Sequence, residues 1–97
     1  MYRTELTIEA LEDLKLLRKY DRSLILDAAE KNLKFQPSLK TKNRKRLSHN
    51  RLAEWELRVG DFRVFYDVFE EASVVKIVAV GYKKGARLFI HGEEYDL

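Results

Sequence analysis

Apolar residues recur at a helical spacing in the first third of the chain and at every second position later. Leu11, Leu14 and Leu17 form a stripe that predicts an amphipathic helix ending near Lys19. Thr7 is a suitable N-cap for this helix. Three acids follow in the early turns, where negative charge favours the helix dipole: Glu9, Glu12 and Asp13.

A second helix is predicted from Asp21, which can act as its N-cap, to a stop at Pro37. The residues expected on its buried side are Leu24, Ile25, Ala28, Ala29 and Leu33. The short link around Tyr20 and Asp21 predicts that the two helices form an antiparallel hairpin. Residues 2–6 alternate loosely, which indicates a short strand before the first helix.

The polar segment Ser38–Asn50 predicts an extended loop. After it, apolar residues recur at every second position, which is the pattern of a strand. Gly60 and Asp61 provide a tight turn within this later region, and Gly81 is expected to end its last strand. The alternation predicts an antiparallel meander of three strands: Trp55–Val59, Phe62–Phe69 and Val74–Val80.

The helices need an apolar surface to cover, and one face of this sheet provides it. We therefore expect a single α+β domain over residues 1–97, with an N-terminal strand and an antiparallel helical hairpin packed on one face of a twisted antiparallel sheet. The other face is expected to be open to solvent and to carry four charged residues: Glu54, Glu56, Arg58 and Arg63.

Composition restricts the chemistry that this domain could perform. The chain has no cysteine, and its two histidines are far apart in sequence, so no metal site and no cofactor are predicted. It has neither a signal-peptide-like run nor a stretch long enough to span a bilayer. We therefore expect a cytoplasmic protein with no membrane partner.

The net charge of +3 is small, so its distribution matters more than its size. Six basic residues lie in a twelve-residue stretch without an acid: Lys40, Lys42, Arg44, Lys45, Arg46 and Arg51. Such a stretch is suited to contact with the phosphate backbone of a nucleic acid. A solvated loop and a surface for an acidic protein are the alternatives.

Arg58 and Arg63 flank the tight turn and are the first candidates for a catalytic site. Guanidinium groups bind phosphate oxygens and could stabilise a phosphorane; the alternative is a lattice of salt bridges with acids on the same face. Glu54 and Glu56 face the same way, and either carboxylate could remove the proton of a ribose 2′-hydroxyl.

An acid for the leaving oxygen could be His49 or His91, although a lone histidine more often has no such role. A set of Glu, Arg and His is also typical of metal-independent microbial ribonucleases. At the end of the last strand, aromatic and basic residues could stack on a base and contact phosphate. These residues are Tyr82, Lys83, Lys84, Arg87 and Phe89. Alternatively, Phe89 packs on the core and the lysines keep the turn soluble.

Two runs resemble the RelE/ParE family of toxins: residues 55–68, WELRVGDFRVFYDV, and residues 78–85, VAVGYKKG. The family pattern is a strand ending in a Leu-Arg-type pair, a short turn, a strand that reads Arg-aliphatic-x-Tyr, and a valine-glycine step before basic residues. The segments NRKRL at 43–47 and IHGEE at 90–94 are similar to one subgroup. The resemblance covers essentially the whole chain.

The resemblance implies a toxin with a RelE-like fold, whose cognate antitoxin wraps around it, neutralises it and joins it in repressing their operon. Operator DNA is then bound only through the antitoxin. RelE-like members cut messenger RNA on the ribosome, whereas ParE-like members poison DNA gyrase. By motif position, Arg63 opens the second meander strand and Lys83 follows the valine-glycine step. Phe89 takes the place of a C-terminal tyrosine that stacks on the substrate base in RelE-type toxins.

Together these observations predict a ribosome-dependent, metal-independent endoribonuclease that inhibits translation. The expected roles are phosphate binding by Arg58 and Arg63, base catalysis by Glu54 or Glu56, proton transfer by Lys83, Lys84 or His91, and substrate contact by Phe89, Tyr82 and Arg87. Glu54 and Glu56 stand where the best-known RelE-type toxins carry lysine, which leaves two alternatives open. One is an inhibitor of gyrase or another protein, and the other is a degenerate toxin that serves only as a co-repressor with its antitoxin.

Overall fold

The computed structural model describes residues 1–96, in which two helices cover one face of a seven-stranded sheet. This arrangement confirms the predicted α+β architecture. The elements, in chain order, are β1 (Arg3–Leu6), α1 (Ile8–Lys15), α2 (Lys19–Leu33), β2 (Arg44–Arg46), β3 (Trp55–Val59), β4 (Phe62–Phe69), β5 (Val74–Lys84), β6 (Arg87–Ile90) and β7 (Glu93–Tyr95). Within residues 1–96, neither helix has the length and apolar character needed to cross a membrane.

The N-cap of α1 is confirmed, because the Thr7 hydroxyl accepts the Ala10 N–H at 3.1 Å. The predicted end of α1 near Lys19 is wrong: α1 ends at Lys15, and α2 already begins at Lys19. The predicted Asp21 cap is also wrong. Arg18 is the N-cap of α2, and Asp21 lies in its first turn, where it pairs with the Arg18 guanidinium.

The buried faces of the helices are narrower than predicted. Leu14 and Ile25 are buried as expected, but Leu11 and Leu24 are more than two-fifths exposed. Only one stripe of each helix reaches the sheet, and it contacts a core formed by β3, β4 and β5. The buried residues of the helices are Ala10, Asp13, Leu14, Ile25, Ala29 and Leu33.

Arg44 is a structural residue inside the segment predicted to be a loop. It opens β2, which pairs antiparallel with β3, and its side chain is buried against the end of α2. Its Nη1 donates to the carbonyl oxygens of Asn32 and Gln36 at 2.9 and 2.8 Å. The Asn32 carbonyl lies in the last turn of α2 and the Gln36 carbonyl lies beyond its end. Carbonyl groups at a helix C-terminus lack partners within the helix. Arg44 therefore has a structural role at the end of α2, which had not been predicted.

Gly81 was predicted to end its strand, but it lies inside β5. One edge of β5 pairs with β4 along its length, and the other edge is shared between β1, in parallel, and β6, antiparallel. A Cβ at Gly81 would lie 2.5 Å from the Phe89 carbonyl oxygen and 2.9 Å from Ile90 Cγ1. Glycine is needed here because the neighbouring strand comes so close.

A β-bulge in β5 changes which face its side chains occupy. Phe65 pairs with Ala79, but Tyr66 pairs with Ile77, so Val78 is one residue extra. Ile77 consequently packs on the helix side, whereas Ala79 packs on the opposite side. By alternation from Ala79, Lys83 also points away from the helices.

The part of the β5 edge that lies between β1 and β6 is paired with α1 and its cap. The Thr7 hydroxyl donates to the Val78 carbonyl oxygen at 3.3 Å. The Val80 N–H donates to Asp13 Oδ2 at 3.0 Å, and the other oxygen, Oδ1, lies 2.7 Å from His91 Nδ1. Asp13 is thus a buried partner for the sheet. The sequence had predicted it only as one of the acids in the early turns of α1.

The face opposite the helices is only partly open, contrary to prediction. A second apolar cluster covers its middle and contains Ala53, Phe65, Ala79 and Ile90. Residues 47–53 and the β6–β7 hairpin supply further side chains to it: Leu47, Leu52, Leu88 and Tyr95. A groove lies between these two segments.

We predict that Gly81→Ala lowers the free energy of unfolding by roughly 1–3 kcal/mol, because its Cβ forces β6 away from β5. Hydrogen exchange should be faster in β6 than in the wild type. Gly85→Ala is the control: Gly85 has a φ of +64° but open space around it, so only the left-handed backbone costs energy, about 1 kcal/mol. Equal exchange in β6 for both variants would contradict the close-approach argument.

We also predict that Arg44→Ala lowers the free energy of unfolding by roughly 2–4 kcal/mol, since it removes several charge-assisted hydrogen bonds to carbonyl groups. Lys45→Ala is the neighbouring control, because Lys45 is exposed and surface substitutions usually change stability by less than about 0.5 kcal/mol. Urea unfolding of both variants provides the comparison, and similar midpoints would argue against the helix-capping role.

Candidate functional site

A groove of about 850 Å³ lies on the face opposite the helices. Its floor is formed by β3 and β4, and the β6–β7 hairpin forms one wall. The charged residues that line it are Lys45, Glu56, Arg58, Arg63, Lys83, Arg87, Glu94 and Asp96. Five basic residues and one acid that had been predicted as site residues therefore line one space.

The strand register explains why these charges converge. Arg58 lies directly opposite Arg63 across β3 and β4, and Lys45 lies opposite Glu56 across β2 and β3. Like charges directly opposite each other destabilise a sheet. The Arg58–Arg63 pair is therefore unfavourable for folding and suited to an anion bound between the two guanidinium groups.

Arg63 is only 8% exposed, although it was expected on an open surface. Its Nη1 donates to the carbonyl oxygens of Gly60 and Phe62, both at 2.9 Å, and so holds the β3–β4 turn. Burial lowers the pKa of the guanidinium below its ordinary value, while the Glu56 carboxylate raises it. An arginine remains charged despite such a shift, so the groove has a fixed positive charge at its floor.

Glu56 is the acid nearest to that charge. Its Oε2 lies 3.9 Å from Arg63 Nε, which is too long for a hydrogen bond, and its side chain is 15% exposed. Lys83 is held near the same turn because its backbone N–H donates to the Asp61 carbonyl oxygen at 2.7 Å. The groove therefore contains a carboxylate that can accept a proton and an ammonium group that can donate one.

Glu54 and part of the basic segment lie elsewhere. Glu54 pairs with Arg46 at 4.0 Å, and both line a second cavity of about 430 Å³ together with His49 and Arg51. Lys40 and Lys42 are exposed. Of the two glutamates considered as a base, Glu56 is the one in the groove.

The aromatic residues expected to contact substrate lie on the other side of the sheet. Tyr82 and Phe89 stack on each other with ring centroids 5.2 Å apart, and alternation places them and Lys84 on the helix side. Arg87 extends over the Phe89 ring and hydrogen-bonds to Glu94, which raises the Arg87 pKa. Phe89 is therefore not placed to stack on a base bound in the groove.

His91 is also directed away from the groove, because its ring contacts Asp13 of α1. This position does not fit the proton-donor role considered for it. Lys83 is the remaining candidate among the three residues predicted to transfer a proton.

The buried position of Asp13 and the position of Tyr95 in the groove were not predicted. Asp13 lies three residues after Ala10 and four before Leu17, so its helical spacing already put it on the buried stripe. Tyr95 lines the groove from β7. Its strand was missed because the preceding hairpin turn is His91-Gly92 and not the usual Asn-Gly.

Comparison with known proteins places this geometry in a family. Residues 4–86 match the family model described as the ParE toxin of the type II toxin–antitoxin system parDE. None of the curated proteins matches the chain in sequence.

Solved structures with the same fold come from toxin–antitoxin complexes. A chain of the Mycobacterium tuberculosis RelBE2 complex is 23% identical, with 84% of this chain and 91% of that chain covered and a TM-score of 0.73. For the archaeal RelE–RelB complex of Pyrococcus horikoshii the identity is 25%, the coverage 81% and 91%, and the TM-score 0.65. For the intact E. coli RelBE complex the identity is 19%, the coverage 88% of this chain and 100% of that chain, and the TM-score 0.59.

The family model matches most of the chain, and the solved structures share its arrangement of helices on a sheet. The chain therefore belongs to the RelE/ParE family of toxins of type II toxin–antitoxin systems.

Proposed function

We propose that this toxin is a metal-independent endoribonuclease that cuts messenger RNA on the ribosome and so inhibits translation. The observation that carries the proposal is the convergence of Glu56 with Arg58, Arg63 and Lys83 in one groove. A carboxylate beside several fixed cations is what cleavage of a phosphodiester by a neighbouring hydroxyl requires.

In the proposed reaction, Glu56 removes the proton of a ribose 2′-hydroxyl, and the 2′ oxygen attacks the adjacent phosphorus. The bond from phosphorus to the 5′ oxygen breaks, and the Lys83 ammonium group protonates that oxygen. The products are a 2′,3′-cyclic phosphate and a 5′-hydroxyl. Arg58 and Arg63 stabilise the negative charge that develops on the non-bridging oxygens.

The proposed macromolecular partners follow from charge and from the relatives. Exposed basic residues of the segment 40–51 would bind the backbone of ribosomal RNA; these are Lys40, Lys42, Lys45, Arg46 and Arg51. The similar solved structures are complexes with antitoxins, so we propose that a cognate antitoxin binds and neutralises this chain as well.

A second candidate function is inhibition of DNA gyrase, favoured by the description of the matching family as a ParE toxin. In that case the groove residues are protein contacts and perform no chemistry. Primer extension on messages from cells that express the toxin separates the two functions. Cuts within translated codons support the nuclease, whereas intact messages together with inhibited gyrase supercoiling support the alternative.

We predict that Glu56→Gln lowers the single-turnover rate of message cleavage on ribosomes by roughly 10²–10⁴-fold, because the amide cannot accept the proton. Glu54→Gln is the matched control, since Glu54 lies in the other cavity, and its rate should be close to that of the wild type. Equal rates for the two variants would contradict the assignment of Glu56 as the base.

We further predict that Arg58→Ala slows cleavage by roughly 10²–10³-fold, through loss of one cation at the phosphate. The same change should raise the free energy of unfolding by up to about 1 kcal/mol, because it removes the repulsion from Arg63. Cleavage assays and urea unfolding test the two effects, with the exposed helical substitution Lys31→Ala as control. A variant that loses activity and also loses stability would contradict this account of Arg58.

A further inference from the structure

The hairpin turn between β6 and β7 contains an unusual residue. His91 and Gly92 both have positive φ, 56° and 79°, as a type I′ turn requires. Asparagine or glycine normally occupies the first of these positions, because the left-handed region is costly for other side chains. A histidine in this position needs a compensating interaction.

The contact with Asp13 supplies that interaction. His91 Nδ1 lies 2.7 Å from Asp13 Oδ1, and the Asp13 side chain is 5% exposed. The Val80 N–H donates to the other carboxylate oxygen, so a group outside the hairpin orients this carboxylate. Because a carboxylate accepts and does not donate, the ring nitrogen carries the proton, and the bond is charge-assisted.

The hairpin held by this contact forms one wall of the groove. Leu88, Glu94 and Tyr95 line the groove, and Ile90 belongs to the same buried apolar cluster as Phe65 of β4. Among the strands within residues 1–96, β7 is at the edge of the sheet and pairs only with β6. The position of this wall therefore depends on β6 and on what fixes the turn.

We propose that His91 and Asp13 form a latch that fixes the β6–β7 hairpin as a wall of the groove, which makes both of them positioning residues for the RNA. The latch itself follows from the geometry of the turn, whereas its effect on RNA rests on the proposed function. The latch acts on the wall and leaves the floor unchanged, so it affects substrate binding and not the chemical step.

Two substitutions of His91 separate the latch from the turn. His91→Gly keeps a turn of the favoured Gly-Gly type and removes the contact. His91→Asn keeps a favoured Asn-Gly turn, and its Nδ2 takes the place of the ring Nδ1 as a donor to Asp13. Both variants preserve the fold of the turn, and only one preserves the latch.

Hydrogen exchange on the whole chain is the first measurement. His91→Gly should increase exchange of the 88–95 amides about tenfold, the effect expected from losing one charge-assisted hydrogen bond at a partly exposed site. His91→Asn should restore nearly wild-type exchange. Unchanged exchange in His91→Gly, exchange in His91→Asn as fast as in His91→Gly, or equal acceleration in α2 would each overturn the latch.

Cleavage kinetics on ribosomes programmed with messenger RNA are the second measurement. His91→Gly should raise KM about tenfold with kcat unchanged, which is the result expected when ground state and transition state lose the same binding energy. His91→Asn should restore KM. Faster hairpin exchange with an unchanged KM would overturn the positioning role. A wild-type protein that cleaves no RNA would refute the proposed function, and the exchange result would still decide whether the latch exists.

Discussion

The arrangement of this fold depends on how one buried edge of β5 is paired. β1 occupies the beginning of that edge and β6 its end, and buried backbone groups left between them would be costly. Thr7 and Asp13 pair with the groups at Val78 and Val80. Because these β5 groups need partners, α1 lies against β5 and carries a buried acid, Asp13. It also fixes the point where the C-terminal hairpin attaches to the sheet.

The bulge at Val78 lies on the same segment and links this packing to the candidate site. Without the bulge, every second residue after Ile77 would lie on the same face of the sheet as Ile77, and Lys83 would point toward the helices. With it, Lys83 joins Arg58 and Arg63 on the groove side. That grouping is unfavourable for folding, since it sets like charges opposite each other and buries one of them. Sites that bind anions commonly retain such costs, because function depends on them.

Some elements could be predicted because their signals are local. β3 and β4 have the predicted limits, since clean alternation and the Gly60 turn both depend on neighbouring residues. Other predictions failed where distant contacts decide the outcome. Gly81 was interpreted as a strand end, but it permits close approach to β6. The structural role of Arg44 could not be predicted either, because this residue caps a helix that ends eleven residues earlier.

The sequence by itself determined the family, the packing of helices on a sheet and the set of charged residues from which a site could be built. It did so because periodicity, turns and a long motif are properties of adjacent positions. Tertiary structure alone decided that Glu56 and not Glu54 lies in the groove, that Phe89 faces the helix side, and that His91 binds Asp13, a residue 78 positions away. The physical reason is that strand register and a single bulge determine which face each side chain occupies, and both are fixed by pairing between distant segments.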